Sequence, residues 1–163
     1  MAAPNNHEAH LRGFLFAEAL FSPRISPVSA VPSGMDRTSF ENLVNKALRR
    51  LPRPFKQKLE NISIQIQDHP SAETLDEMGI KAGTLLGLYQ GVPLTERGWG
   101  YGNVLPDQIV IYQRPIEERS SSLEEREEMV LEVVMHEIGH YFGFDDRTLY
   151  GIEAEKSRKK GRR

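Results

Sequence analysis

Residues 135–147 read MHEIGHYFGFDDR, and the rest of the chain is best understood by what this stretch needs around it. His136 and His140 stand four residues apart, which on a helix puts both imidazoles on one face, one turn apart. Two neutral imidazoles so placed can fill two tetrahedral positions of one zinc ion. Glu137 follows the first histidine, about 100° round the helix. A carboxylate there lies beside the metal rather than on it, and can take a proton from zinc-bound water. Gly143 permits the left-handed residue that often ends a helix. The chain can then turn back, and Asp146 can supply a third, oxygen ligand; Asp145 competes for that role. The fourth position stays open for water, as in catalytic rather than structural sites. Ile138, Gly139, Tyr141 and Phe142 are uncharged and Val133–Met135 are apolar, so the helix is expected to be mostly buried. A buried, unpaired glutamate is costly, so its place here points to a task.

Working outward, the motif helix should begin near Ser121 or Ser122. Ser122 with Glu125, and Ser121 with Glu124, both fit a capping box. The acidic residues that follow complement the helix dipole. Upstream, Gln108–Tyr112 (QIVIY) reads as a strand closed by Pro115. Thr84–Tyr89 is a second strand, and Asn61–Gln67 (NISIQIQ) alternates apolar and polar residues as a half-buried strand does. The loop from Gly91 to Asn103 holds Arg97, Trp99 and Tyr101, and one helical turn is expected at Thr74–Met78. Phe40, Leu43, Val44, Ala47, Leu48 and Leu51 recur at spacings of three and four, which predicts an amphipathic helix over Ser39–Leu51. Ser39 is its expected cap, Pro52 and Pro54 end it, and Phe55–Leu59 continues it briefly.

The length of 163 residues implies one domain, and the apolar fraction of 39% suffices for a core. A mean hydropathy of −0.48 and ten prolines point to unpacked ends. With no cysteine, a disulfide framework, a thiolate zinc site and a cysteine nucleophile are excluded. The net charge of −2 hides an asymmetry, because Lys156, Arg158, Lys159, Lys160, Arg162 and Arg163 crowd the last eight residues. Without them the body stands at about −8, so no nucleic-acid partner is expected. The longest apolar runs fall short of a membrane span, so no membrane partner is expected either. Residues 1–35 read as a disordered N-terminal extension, rich in Pro, Ser, Ala and Asn. A secretory reading exists, with Arg12, an apolar patch at Phe14–Phe21 and Val28-Ser29-Ala30 as a cleavage site. The patch is short, interrupted by Glu18 and followed by two prolines, so a cytoplasmic protein is the expectation. Met35 precedes the first well-patterned helix and is the plainer start of translation. Residues 154–163 read as a basic, disordered tail.

The segment between these ends, residues 36–153, resembles the small zincin-like metallopeptidases that carry an HExxHxxGxxD motif, also called minimal zincins. The resemblance rests on Leu86–Gly98 (LGLYQGVPLTERG), on Leu105–Pro115 (LPDQIVIYQRP) and on the motif. It implies an α+β fold, with a small mixed β-sheet packed on the HExxH helix and one N-terminal helix. It implies His136, His140 and Asp146 as ligands to one Zn2+ per chain, and Glu137 as general base. Family spacing favours Asp146 over Asp145. It implies peptide-bond hydrolysis of a peptide or protein substrate. No methionine follows Met135, so the methionine turn of the larger metzincins has no place downstream. The rival reading is a non-catalytic, zinc-stabilised interaction module, against which Glu137 argues, since metal binding alone needs no base there. Tyr101, Tyr150, Arg97 and His69 are the candidates for contacting substrate or stabilising an oxyanion.

Overall fold

The computed structural model describes residues 10–16, 34–98 and 104–160. The architecture is α+β. Strands β1 (His10–Phe16), β2 (Ile62–Gln67), β3 (Thr84–Gly91) and β4 (Asp107–Tyr112) form one mixed sheet in the order β1-β3-β4-β2. β3 runs antiparallel to both of its neighbours, and β2 pairs parallel with β4. Helices α1 (Arg37–Arg50) and α5 (Leu123–Tyr141) cover one face. The short helix α3 (Ala72–Glu77) and the residues after it cover the other, where Leu75, Met78 and Ile80 pack on Leu85, Leu88, Val110 and Tyr112. Helices α2 (Arg53–Lys56), α4 (Gln113–Arg119) and α6 (Asp146–Lys160) complete the fold. Among the described residues, no helix is long and apolar enough to cross a membrane.

The main core follows the expected periodicities. Phe40, Val44 and Ala47 of α1 meet Val130, Val133, Val134 and Ile138 of α5 over Ile109 and Ile111 of β4. β3 departs from simple alternation. Leu85 and Leu88 belong to one face of the sheet, whereas Leu86 and Tyr89 belong to the other. Gly87 also faces α5, since a Cβ there would meet Val133. Leu86 and Gly87 thus share a face, as the two residues of a β-bulge do. The register of β1 on β3 shifts at the same place, between Phe14 and Leu15.

Four expectations are corrected. Residues 10–16, assigned to a disordered extension, form strand β1 on the β3 edge; main-chain pairing is available to almost any sequence, so composition alone does not reveal it. Helix α1 starts at Arg37, with Asp36 as its cap in place of Ser39. The Asp36 carboxylate accepts the Ser39 amide at 3.0 Å. Pro115 does not merely close β4 but sits in the first turn of α4, where its missing N–H has no helical partner to lose. The chain after Glu155 stays helical to Lys160, because α6 continues a helix already anchored through Leu149, which is only 6% exposed.

Candidate metal centre

Helix α5 carries the motif. Ser122 caps it by accepting the Glu125 amide at 3.1 Å, and Glu125 Oε2 accepts the Ser121 amide at 2.7 Å. The Ser121 hydroxyl and amide hold the Glu125 carboxyl below its ordinary value of 4.5. At the other end, Gly143 takes φ +91°, the left-handed turn that the sequence anticipates. The chain reverses there, and Asp145 caps α6 by accepting the Thr148 amide at 2.9 Å. Asp146, the first residue of α6, is turned back over the histidines.

Three ligand-bearing side chains meet. Asp146 Oδ1 lies 3.2 Å from His136 Nε2 and 3.3 Å from His140 Nε2. Among the described residues, His136, His140 and Asp146 are the group able to hold a metal ion. The other ring nitrogens fix the tautomers. His140 Nδ1 is 3.0 Å from the Phe144 carbonyl, which can only accept, so Nδ1 donates. His136 Nδ1 is 2.9 Å from Glu153 Oε1 and donates likewise. With Nδ1 as the donor, Nε2 is the ring atom left to ligate a metal, and both Nε2 atoms face Asp146. Three electron-rich atoms converge at distances longer than the 2.7–2.9 Å usual for a charge-assisted hydrogen bond. A tetrahedron with metal–ligand bonds of about 2.0 Å has edges of about 3.3 Å. The two Asp146 edges match that figure and all three ligand atoms lie within 4.8 Å of one another, so these residues can hold one zinc ion. The histidines are fully buried and the Asp146 side chain is 57% exposed, so the group opens to solvent on the Asp146 side.

Glu137 is fully buried beside this group. It has room because β3 bulges at Gly87. A Cβ at Gly87 would come within 2.6 Å of Glu137 Oε1 and 2.8 Å of its Cγ. Leu149 of α6 lies over Gly139 of α5, where a Cβ would come within 2.4 Å of Leu149 Cδ2. That close approach seats the helix that carries both Asp146 and Glu153.

Tyr150 stands at the site. Its ring is 5.4 Å from that of His136. Burial, and then the carboxylates of Asp146, Glu153 and Glu137, push its hydroxyl up to about 12, so it stays protonated at neutral pH. Arg97 is engaged elsewhere. It pairs with the buried Asp107, donates to the Val92 carbonyl at 2.8 Å, and lies 5.0 Å over the Tyr141 ring. It braces the loop after β3 against the motif helix. His69 is exposed in the bend after β2. Tyr101 lies outside the described residues. Sequence reasoning missed Glu153, seventeen residues from His136. It also missed the role of Gly87, although a glycine inside a strand pattern signals a bulge or a close approach.

A family model described as zincin-like metallopeptidase matches residues 59–155. No curated protein matches the chain.

Proposed function

Because the chain belongs to the zincin-like metallopeptidase family, we propose that it is a zinc-dependent peptidase in which Glu137 is the general base. The observation that carries this reading is the convergence of His136 Nε2, His140 Nε2 and Asp146 Oδ1 beside a buried glutamate that is not one of the three. His136, His140 and Asp146 would hold a zinc ion, which would supply polarisation of the scissile carbonyl and a water acidified to a pKa of about 7. Glu137 takes the proton of the attacking water and returns it to the departing amine. Its burial excludes bulk water from that transfer. Glu153 and the Phe144 carbonyl hold the two imidazoles in the tautomer that presents Nε2. The Tyr150 hydroxyl, kept neutral, is a candidate donor to a developing oxyanion. The proposed setting is the cytoplasm, with a peptide or protein substrate and no nucleic-acid or membrane partner.

The test is Glu137→Gln, which keeps the shape and removes the ability to take up a proton. It is expected to retain zinc, measured by metal analysis. It should lose about a hundred- to ten-thousand-fold in kcat/KM on a peptide library. A variant that cuts as fast as the parent removes Glu137 as the base. A variant that loses zinc places Glu137 in the metal shell. Zinc bound at one per chain with no peptide cut by the parent leaves the zinc-stabilised module as the reading.

A further inference from the structure

β3 is the strand that meets the proposed base, through Gly87 against Glu137. On the side away from β4, its cover is β1. β1 is not a hairpin partner, since residues 17–83 separate the two strands in sequence. It lies antiparallel, with His10 opposite Gly91 and Phe16 opposite Thr84. The ladder slips between Phe14, opposite Gly87, and Leu15, opposite Leu85. The irregular point of the pairing therefore falls at the residue that touches Glu137. The family match begins at residue 59 and contains β2, β3 and β4 but not β1. The matched core by itself leaves the β3 edge open.

An extended peptide that adds to an open strand edge gains its affinity from main-chain hydrogen bonds, and such bonds tolerate many sequences. We infer that residues 10–16 of this chain act as an internal, displaceable strand that holds the β3 edge and excludes extended peptides in trans from it. Under the peptidase reading that edge is the substrate's seat, and β1 is an inhibitory occupant. A tethered strand acts at an effective concentration on the order of millimolar, so a free peptide of equal strength competes poorly until β1 lets go.

The probe is a fluorescent peptide of residues 8–18, EAHLRGFLFAE, and the protein is the full chain. In the double variant Leu11→Pro/Arg12→Pro, neighbouring amides point to opposite edges, so one proline removes a donor that faces β3. The variant is expected to bind the peptide at least tenfold tighter than the parent, by anisotropy. Equal affinity overturns the seat, and so does a variant that no longer folds, since β1 would then be part of the framework. Hydrogen exchange on the unaltered chain gives a second reading. Amides of residues 10–16 are expected to exchange at least tenfold faster than those of 107–112, and equal protection overturns the inference. Tight peptide binding by the variant, with no peptide cut by either form, keeps the seat and overturns the peptidase reading. The two failures are thus distinct.

Discussion

At the scale of single residues, the site depends on one missing side chain. Gly87 leaves the space that Glu137 fills. Gly87→Ala forces a methyl group against Glu137 and Val133 in a packed interior, at a cost of about 1–3 kcal/mol. On the proposed function the variant should keep its zinc and lose kcat, because the added methyl meets the proposed base Glu137 and Val133, and none of the three nearest atoms belongs to a proposed ligand. Denaturant melts, metal analysis and single-turnover rates check this together. The adjacent aspartates divide their work similarly. Asp145 caps α6, so Asp145→Ala should cost about 1 kcal/mol and leave most of the zinc bound. Asp146→Ala removes one of the three candidate ligand atoms and should abolish tight zinc binding at neutral pH. Full zinc content in the Asp146 variant, read by metal analysis after dialysis, would reverse that division.

At the scale of elements, α6 closes the centre. It carries Asp146 at its start and Glu153 two turns on, and it is seated by Leu149 over Gly139. Glu153→Gln should weaken zinc binding by about ten- to a hundredfold, the usual effect of losing a carboxylate behind a ligating histidine. Competition with a chromogenic chelator gives the number; unchanged affinity would make the Glu153 contact incidental. The start of α5 makes a prediction about pH. The Ser121 hydroxyl, and then its amide, hold the Glu125 carboxyl below 4.5. A depressed folded-state value means that this contact stabilises the helix above the unfolded-state pKa. That stabilisation is lost as pH falls through the depressed value. Ser121→Ala should therefore lower the melting temperature at neutral pH, with the difference from the parent shrinking in strong acid. A difference that persists at pH 2 would assign the effect to something other than this carboxylate.

At the scale of the whole molecule, the candidate metal centre brings together the end of α5, the reversal at Gly143 and α6. Zinc bound only by the folded state at a hundred times its dissociation constant contributes about 2.7 kcal/mol. Chelation should then lower the melting temperature by about 5–10 °C for a chain of this size. Thermal melts with and without a chelator, followed by zinc add-back, check it. An unchanged melting point would mean that the three side chains bind the ion too weakly to matter to the fold.

Sequence alone determined the elements whose signal is local. The stripe of α1, the alternation of β2, the capping serine of α5 and the four-residue step from His136 to His140 each repeat within a turn or two of chain. The physics that sets them acts over the same few residues. The left-handed turn at Gly143 was legible for the same reason. Tertiary structure decided what depends on residues far apart in sequence. β1 pairs with β3 across residues 17–83, and main-chain ladders leave little trace in side-chain pattern. Glu153 reaches His136 only because α6 folds back over Gly139. Arg97, a sequence candidate for contacting substrate, is held by Asp107 at the start of β4. The bulge at Leu86–Gly87 arises where a strand must bring its backbone against a helix. That need exists only once β3 and α5 are packed together.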